Sequence, residues 1–296
     1  MSQPELIAGV ERLRATSRPR RSKDRALEIL AWAAFILAVV PLVAIAGFLV
    51  VQGVRALSLE FFTSDPPGDL SATGGGIRNA IVGTLMMTGL ATIIAVPVGI
   101  ALAVFSREIG GRTATAVRFV VDVLAGLPSI VVGIFVYALV VVATGHFSGF
   151  AGSIALAIIE LPVIVVASDE LLRLTDRKID EGTRALGMMR WRSFIAVFIP
   201  TALSGIITGI LLAVSRAIGE TAPLIFTALG NNLFTLDMNE PVQAMPLLIY
   251  RNALNSAFPA ARDRAMGTAL VLVLIVLAFN LLGRWIARRA RPADQR

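Results

Sequence analysis

The chain has 296 residues, 56% of them apolar and only 16% charged, with a net charge of +7 and a mean hydropathy of +0.79. An ordinary soluble domain is excluded, because such domains are less apolar and carry about 25% charged residues. Without Cys and with a single His, His146, the chain can form neither disulfides nor thiolate metal sites, and it offers no nucleophile–base set for a membrane-embedded enzyme. No metal or cofactor is expected. His146 falls in a short loop and reads as a solvated side chain.

Residues 1–26 form a basic tail with seven Lys/Arg, expected to lie near anionic lipid. It is too charged, and the following apolar block too long, for a cleaved signal peptide. Six apolar blocks follow, at about 27–54, 79–105, 115–143, 149–171, 195–225 and 266–286. About 20 apolar residues suffice to span the hydrocarbon core as a helix, and continuous rather than alternating blocks point away from a β-barrel. Pro41, Pro97, Pro128, Pro162 and Pro223 each fall in one of the first five blocks, which is tolerated where neighbours satisfy the freed carbonyls.

Basic residues flank these blocks unevenly. The tails and the loops 106–118 and 172–194 carry 21 Lys/Arg, the other loops 5. Positive charge collects on the cytoplasmic side, so both termini are expected there. The distribution marks topology rather than nucleic-acid binding. The expected fold is therefore an all-α integral membrane protein with six transmembrane helices. Its parts are the tail 1–26, a first helix and outer loop 27–78, and a core 79–290. In loop 55–78, Pro66-Pro67-Gly68 and Gly74-Gly75-Gly76 predict irregular structure. Loop 226–265 is too polar to span, although Ala244–Ile249 can rest on other helices.

The most informative loop contains Asp180, Glu181, Gly182, Thr183, Arg184, Ala185, Leu186 and Gly187, with Pro200 further on. Thr183 to Leu186 can form a short helix that Gly187 ends as a left-handed cap. This stretch resembles the EAA loop of bacterial ABC-importer permeases: E-A-A, three residues, G, nine residues, I-x-L-P. Here it reads Glu181-Gly182-Thr183, Gly187 and Val197-Phe198-Ile199-Pro200, with the same spacing. Gly182 and Thr183 replace the alanines, and Gly182 costs about 1 kcal/mol of helix propensity against Ala. The resemblance implies that Glu181, Gly182, Thr183, Ala185, Gly187 and Pro200 belong to a coupling element, within 173–200, that docks on a nucleotide-binding subunit. The only lysines, Lys23 and Lys178, do not follow a Gly, so the chain has no G-x-x-x-x-G-K-[ST] phosphate loop. It is expected to be no enzyme; ATP, if it drives this protein, binds elsewhere.

Ionisable residues inside spans cost about 2.5–3.5 kcal/mol on insertion scales and normally face the protein interior. Asp122, Glu160, Arg216 and Glu220 lie in blocks. Arg118 precedes Asp122 by one turn, and the two read as a structural couple near the cytoplasmic end. Glu160, before Leu161-Pro162, reads first as a helix-packing partner. Arg216 and Glu220, spaced i, i+4, are expected on one helical face, with Thr221 adjoining and with Gly219 and Pro223 permitting local unwinding. They form either a structural pair or a gate. A planar guanidinium suits a tetrahedral oxyanion, and a carboxylate beside it accepts a proton from hydrogen phosphate but repels sulfate.

The run Arg216-Ala217-Ile218-Gly219-Glu220-Thr221-Ala222-Pro223-Leu224, continuing Phe226-Thr227-Ala228-Leu229-Gly230-Asn231, is similar to phosphate-importer permeases of PstA type. So is Gly75-Gly76-Ile77-Arg78-Asn79-Ala80-Ile81-Val82-Gly83-Thr84. The likeness covers about 70–290. The glycines there could offer N–H groups to an anion or simply make a tight turn. The resemblance implies a type I ABC-importer permease fold in a bacterial inner membrane. Arg216, Glu220 and Thr221 would line the substrate path. Implied partners are a second permease of PstC type, two ATP-binding subunits of PstB type, and a periplasmic or lipoprotein phosphate-binding protein, besides phosphate and membrane lipid. An importer of molybdate, sulfate or phosphonate is the neighbouring alternative, and an ion-coupled secondary carrier or channel acting alone is the alternative of another class.

Overall fold

The computed structural model describes residues 17–174, 182–183 and 185–289. All regular structure among them is helical: α1 (Ser17–Gly53), α2 (Leu59–Thr63), α3 (Arg78–Ile109), α4 (Gly111–Gly126), α5 (Ser129–Val136), α6 (Gly149–Leu174), α7 (Ile199–Ile218), α8 (Ala222–Thr227), α9 (Met245–Leu254) and α10 (Pro259–Arg289), with shorter turns between. The chain divides into a unit ending at Val51 and a unit from Gln52 onward. The first is a single apolar helix whose spanning stretch buries nothing. The second holds the core.

Among the described residues, five helices are long and apolar enough to cross a membrane: Lys23–Ala56, Arg78–Glu108, Gly149–Leu172, Ile195–Ile218 and Pro259–Ala287. The third apolar block is not one straight helix. It breaks into Gly111–Gly126 and Ser129–Thr144, bent by 103°. Proline disfavours the helical conformation of the residue before it and brings no N–H. Accordingly Leu127 is extended (φ −69°, ψ 135°) and Pro128 opens the next helix. The same Leu-Pro pair at 161–162 leaves α6 unbroken, because α6 is the most buried span and its neighbours hold it on several sides. The fifth block is also interrupted. It starts as a π-turn over Phe194–Phe198, runs as α7 to Ile218, and resumes as α8 after a break at Gly219–Thr221.

The core packs α3 against α6, with α7 and α8 closing over them. Met87, Ala91 and Ala95 meet Leu156, Ala157, Ile164, Ala213, Ala217 and Leu224. Alanines at these contacts let the backbones approach, as helix packing in lipid requires. Loop 226–265 does not span. Its apolar segment is buried as expected: Met245 and Leu248 join Phe61, Ile77, Ala80 and Val271. At the end of the bundle with the long loops, Arg264 is 5% exposed and ties loop 70–74 to α10. It donates to the carbonyls of Leu70 at 2.8 Å and Ala72 at 2.7 Å.

Candidate functional site: a charged break and two interlocked loops

Helix α7 delivers Arg216 in its last turn. Gly219 and Glu220 then follow by tight turns, their N–H groups donating to the carbonyls of Arg216 and Ala217, each at 3.1 Å. Glu220 therefore lies past the helix end, and the expected continuous helical face is corrected: α7 stops at Ile218. The pair still forms, with Arg216 Nε 3.3 Å from Glu220 Oε1. The Glu220 side chain is 16% exposed and the Arg216 side chain 50%. This single contact leaves both terminal nitrogens of Arg216 without a protein partner among the described residues. Thr221 caps the next helix, its carbonyl accepting from Leu224 N at 3.1 Å. From α10, Asn280 donates to Ser215 Oγ at 2.7 Å, which fixes α7 one residue before Arg216. Sequence reasoning passed over Asn280, although an amide inside an apolar block is itself a signal.

The first family-like run binds the end of the second and the start of α9. Asn79 Nδ2 donates to the Asn231 carbonyl at 2.8 Å, and Thr84 Oγ1 accepts from Met245 N at 2.8 Å, capping α9. Arg78 pairs with Asp65 at 2.7 Å and lies over the Phe234 ring at 4.6 Å. The N–H groups that could have met an anion are taken: Gly75 N by Glu60 Oε1 at 3.2 Å, and Gly76, Ile77 and Arg78 N by the carbonyls of Asp65, Phe61 and Ser64. The glycine stretch is thus a tight turn. Leu229 has φ 61°, uncommon for a residue with a Cβ, at the bend that brings Asn231 back.

Gly83 is required by contact. A Cβ there would lie 2.0 Å from the Gln243 carbonyl oxygen, and neither backbone can yield cheaply. Overpacking costs about 1–3 kcal/mol and sometimes more. Gly83→Val is therefore expected to lower the yield of folded protein strongly, while Gly89→Ala, with nothing within 4 Å, leaves it unchanged. Size-exclusion recovery after mild heating compares the two. Equal recovery would remove the interlock from the account.

In the loop that resembles a coupling element, Glu181 and Arg184 lie outside the described residues, as does Asp180. Leu186 N donates to the Gly182 carbonyl and Met188 N to the Thr183 carbonyl, both at 3.1 Å, and Gly187 has φ 68°. The second is the 6→1 bond of a Schellman cap around Gly187 and the first an ordinary helical bond; the spacing predicted a left-handed cap at this glycine. Thr183 is 6% exposed, whereas Gly182 and Ala185 are exposed and Leu186 and Met189 present 79% and 62% of their surface. Pro200 sits in the first turn of α7, where no N–H is needed.

Arg118 does not pair with Asp122. Its Nε lies 3.5 Å from Asp169 Oδ2 of α6, so the couple joins two helices rather than one turn. Glu160, on α6, is fully buried against α3, with Oε1 3.3 Å from the Thr92 hydroxyl and Oε2 without a partner among the described residues. His146 is exposed.

A bundle of long apolar helices, one span bent at Leu127-Pro128 and another broken at Gly219–Thr221 beside the Arg216–Glu220 pair, is the architecture of a multi-pass membrane protein. Residues 95–293 match the family described as binding-protein-dependent transport system inner membrane component. The chain is 38% identical over 269 residues to the phosphate transport system permease protein PstA of Yersinia pestis, covering 90% of each. It is 41% identical over 244 residues to PstA of Xylella fastidiosa strain Temecula1, covering 81% of this chain and 84% of that one. A crystal structure of a bacterial alginate ABC transporter in complex with an alginate-bound periplasmic protein has the same fold. Its TM-score is 0.67 at 16% identity, covering 90% of this chain and 96% of the other. The chain belongs to the binding-protein-dependent transport system inner membrane components, among the permeases of PstA type.

Proposed function

We propose that the chain is the transmembrane permease subunit of an ATP-driven importer of inorganic phosphate, and that it has no ATPase site of its own. Its relatives' names support the substrate, and one observation supports the site. Arg216 holds a half-exposed guanidinium, two terminal nitrogens unused, at a break in an apolar helix. Such a charge is expensive in lipid, so another subunit, water or the substrate must meet it. We assign Arg216, Glu220 and Thr221 to the path, and Glu181, Gly182, Thr183, Ala185, Gly187 and Pro200 to the coupling element. The partners would be a second permease of PstC type, two ATP-binding subunits of PstB type and an external phosphate-binding protein. The parts would be the tail 1–26, the first helix with its loop 27–78, and the core 79–290.

In this reading both termini and loops 106–118 and 172–194 face the cytoplasm, from the 21-to-5 basic count. Reporter fusions at Arg112 and Asn255 should therefore give opposite signals. Two signals of the same sign would overturn the topology. Affinity purification of the chain from its host tests the assembly. An ATPase carrying a P-loop should co-purify; recovery of a chain that transports alone would favour a secondary carrier.

A further inference from the structure

At the end of the bundle opposite the interlocked loops, α3 turns into α4 through Gly110 and Gly111, both left-handed at φ 60° and 62°. A cleft of about 600 Å³ opens at this elbow, lined by Ser106, Arg107, Arg112, Thr115 and Arg118 together with the two glycines. Among the described residues, three arginines and no carboxylate line it. Two of them are already engaged: Arg107 donates to the Leu172 carbonyl and lies over the Phe198 ring, and Arg118 faces Asp169. Arg112 is exposed and lines the cleft, with no ion pair among the described residues.

The first turn of the 16-residue α4 opens on the same cleft and has no side-chain cap, so its leading N–H groups and the positive end of the helix dipole remain available. The independent sign of a ligand is Ser106. It is 2% exposed, it lines this cleft and the neighbouring cavity, and its hydroxyl has no hydrogen-bond partner among the described residues. Buried hydroxyls are rarely left so. Behind Ser106 and Arg118 lies a second cavity of about 400 Å³, which carries Asp122, Asp169 and Glu170. Ser106 and Arg118 line both spaces; the acids fall in the second, so an anion is favoured in the first.

We infer that the Gly110–Gly111 elbow binds a phosphate-type oxyanion, held by Arg112, the Ser106 hydroxyl and the first turn of α4, with the charge of Arg118 beside them. Arginine forks and uncapped N–H groups suit tetrahedral oxyanions. Two sources carry this chemistry: free inorganic phosphate and the headgroup of an acidic phospholipid. Placing the cleft on the cytoplasmic side rests on the topology proposed above. There, free phosphate would be the released product, acting back on the transporter at a place apart from Arg216.

The test uses the assembled complex carrying Arg216→Gln, so that the proposed path does not contribute. One arm titrates inorganic phosphate calorimetrically in nanodiscs of phosphatidylcholine alone. The other counts phosphatidylglycerol retained in native mass spectra from nanodiscs containing it. Binding in at least one arm is expected, weakened about tenfold or more when Arg112→Gln and Ser106→Ala are added together. Thermal melting checks that this variant is folded; if it is not, Arg112→Gln alone, at an exposed position, takes its place. Saturable phosphate binding in the first arm identifies the free ion, and retained lipid that phosphate does not displace identifies the headgroup. No binding in either arm, or binding unaltered by the elbow substitutions, overturns the inference. Because uptake is not measured, this outcome is independent of whether the chain imports phosphate.

Discussion

Arg216→Gln is expected to cut phosphate uptake by about tenfold to a hundredfold, with the complex still assembled. A hydrogen bond to a charged group is worth about 1.5–3 kcal/mol, and more where water is scarce. Gln keeps donors but loses the fixed charge and the planar fork. Glu220→Gln should behave differently. Its carboxylate is largely sheltered, and removing its charge leaves a group that no longer repels a fully deprotonated anion. Discrimination against sulfate should relax, with phosphate uptake reduced less than by Arg216→Gln. If the two residues are only a structural couple, both single variants lose assembly, and the charge-swapped pair Arg216→Glu with Glu220→Arg regains part of it. Phosphate and sulfate uptake, normalised to assembled complex, separates these outcomes. Near-normal phosphate uptake by Arg216→Gln rejects the path.

Gly187→Val is expected to abolish coupled transport while leaving membrane insertion intact. At φ 68° a β-branched residue costs about 1–3 kcal/mol, enough to melt a short cap closed by the bond from Met188 N to the Thr183 carbonyl. The exposed Leu186 and Met189 side chains would then no longer be presented from a fixed knob. Glu181→Lys should uncouple in the same way through charge. Phosphate uptake and ATPase co-purification are to be measured together. The account expects uptake lost and the ATPase bound weakly or without transport, whereas normal uptake by Gly187→Val would show that the cap has no part in coupling.

What the sequence revealed and what it withheld follow physical range. Block length and loop charge depend on composition over about 20 residues, so the helical class and the non-spanning 226–265 loop were readable. The cap at Gly187 is local, and its spacing sufficed. Breaks were harder. Leu127-Pro128 and Leu161-Pro162 look alike in sequence, yet only the first bends the chain, because the burial of α6 outweighs the proline. Nothing local distinguishes them. Arg118 was assigned to Asp122 by i, i+4 spacing, but an adjacent helix offered Asp169. Thr84 caps a helix that starts 161 residues later, and Asn280 braces Ser215 from 65 residues away. Such pairings need the packing of whole helices. The Gly75-Gly76 stretch was ambiguous for the same reason: only the fold shows that Glu60 and three loop carbonyls already occupy its N–H groups.

The most direct test of the central claim is reconstitution of the chain, with its co-purifying subunits, into liposomes facing a phosphate-loaded binding protein. The account predicts ATP-dependent phosphate uptake that requires the ATPase partner, is lost with Arg216→Gln and is not supported by sulfate. Uptake that proceeds without ATP or the ATPase, or a complex that carries another oxyanion and not phosphate, would contradict it.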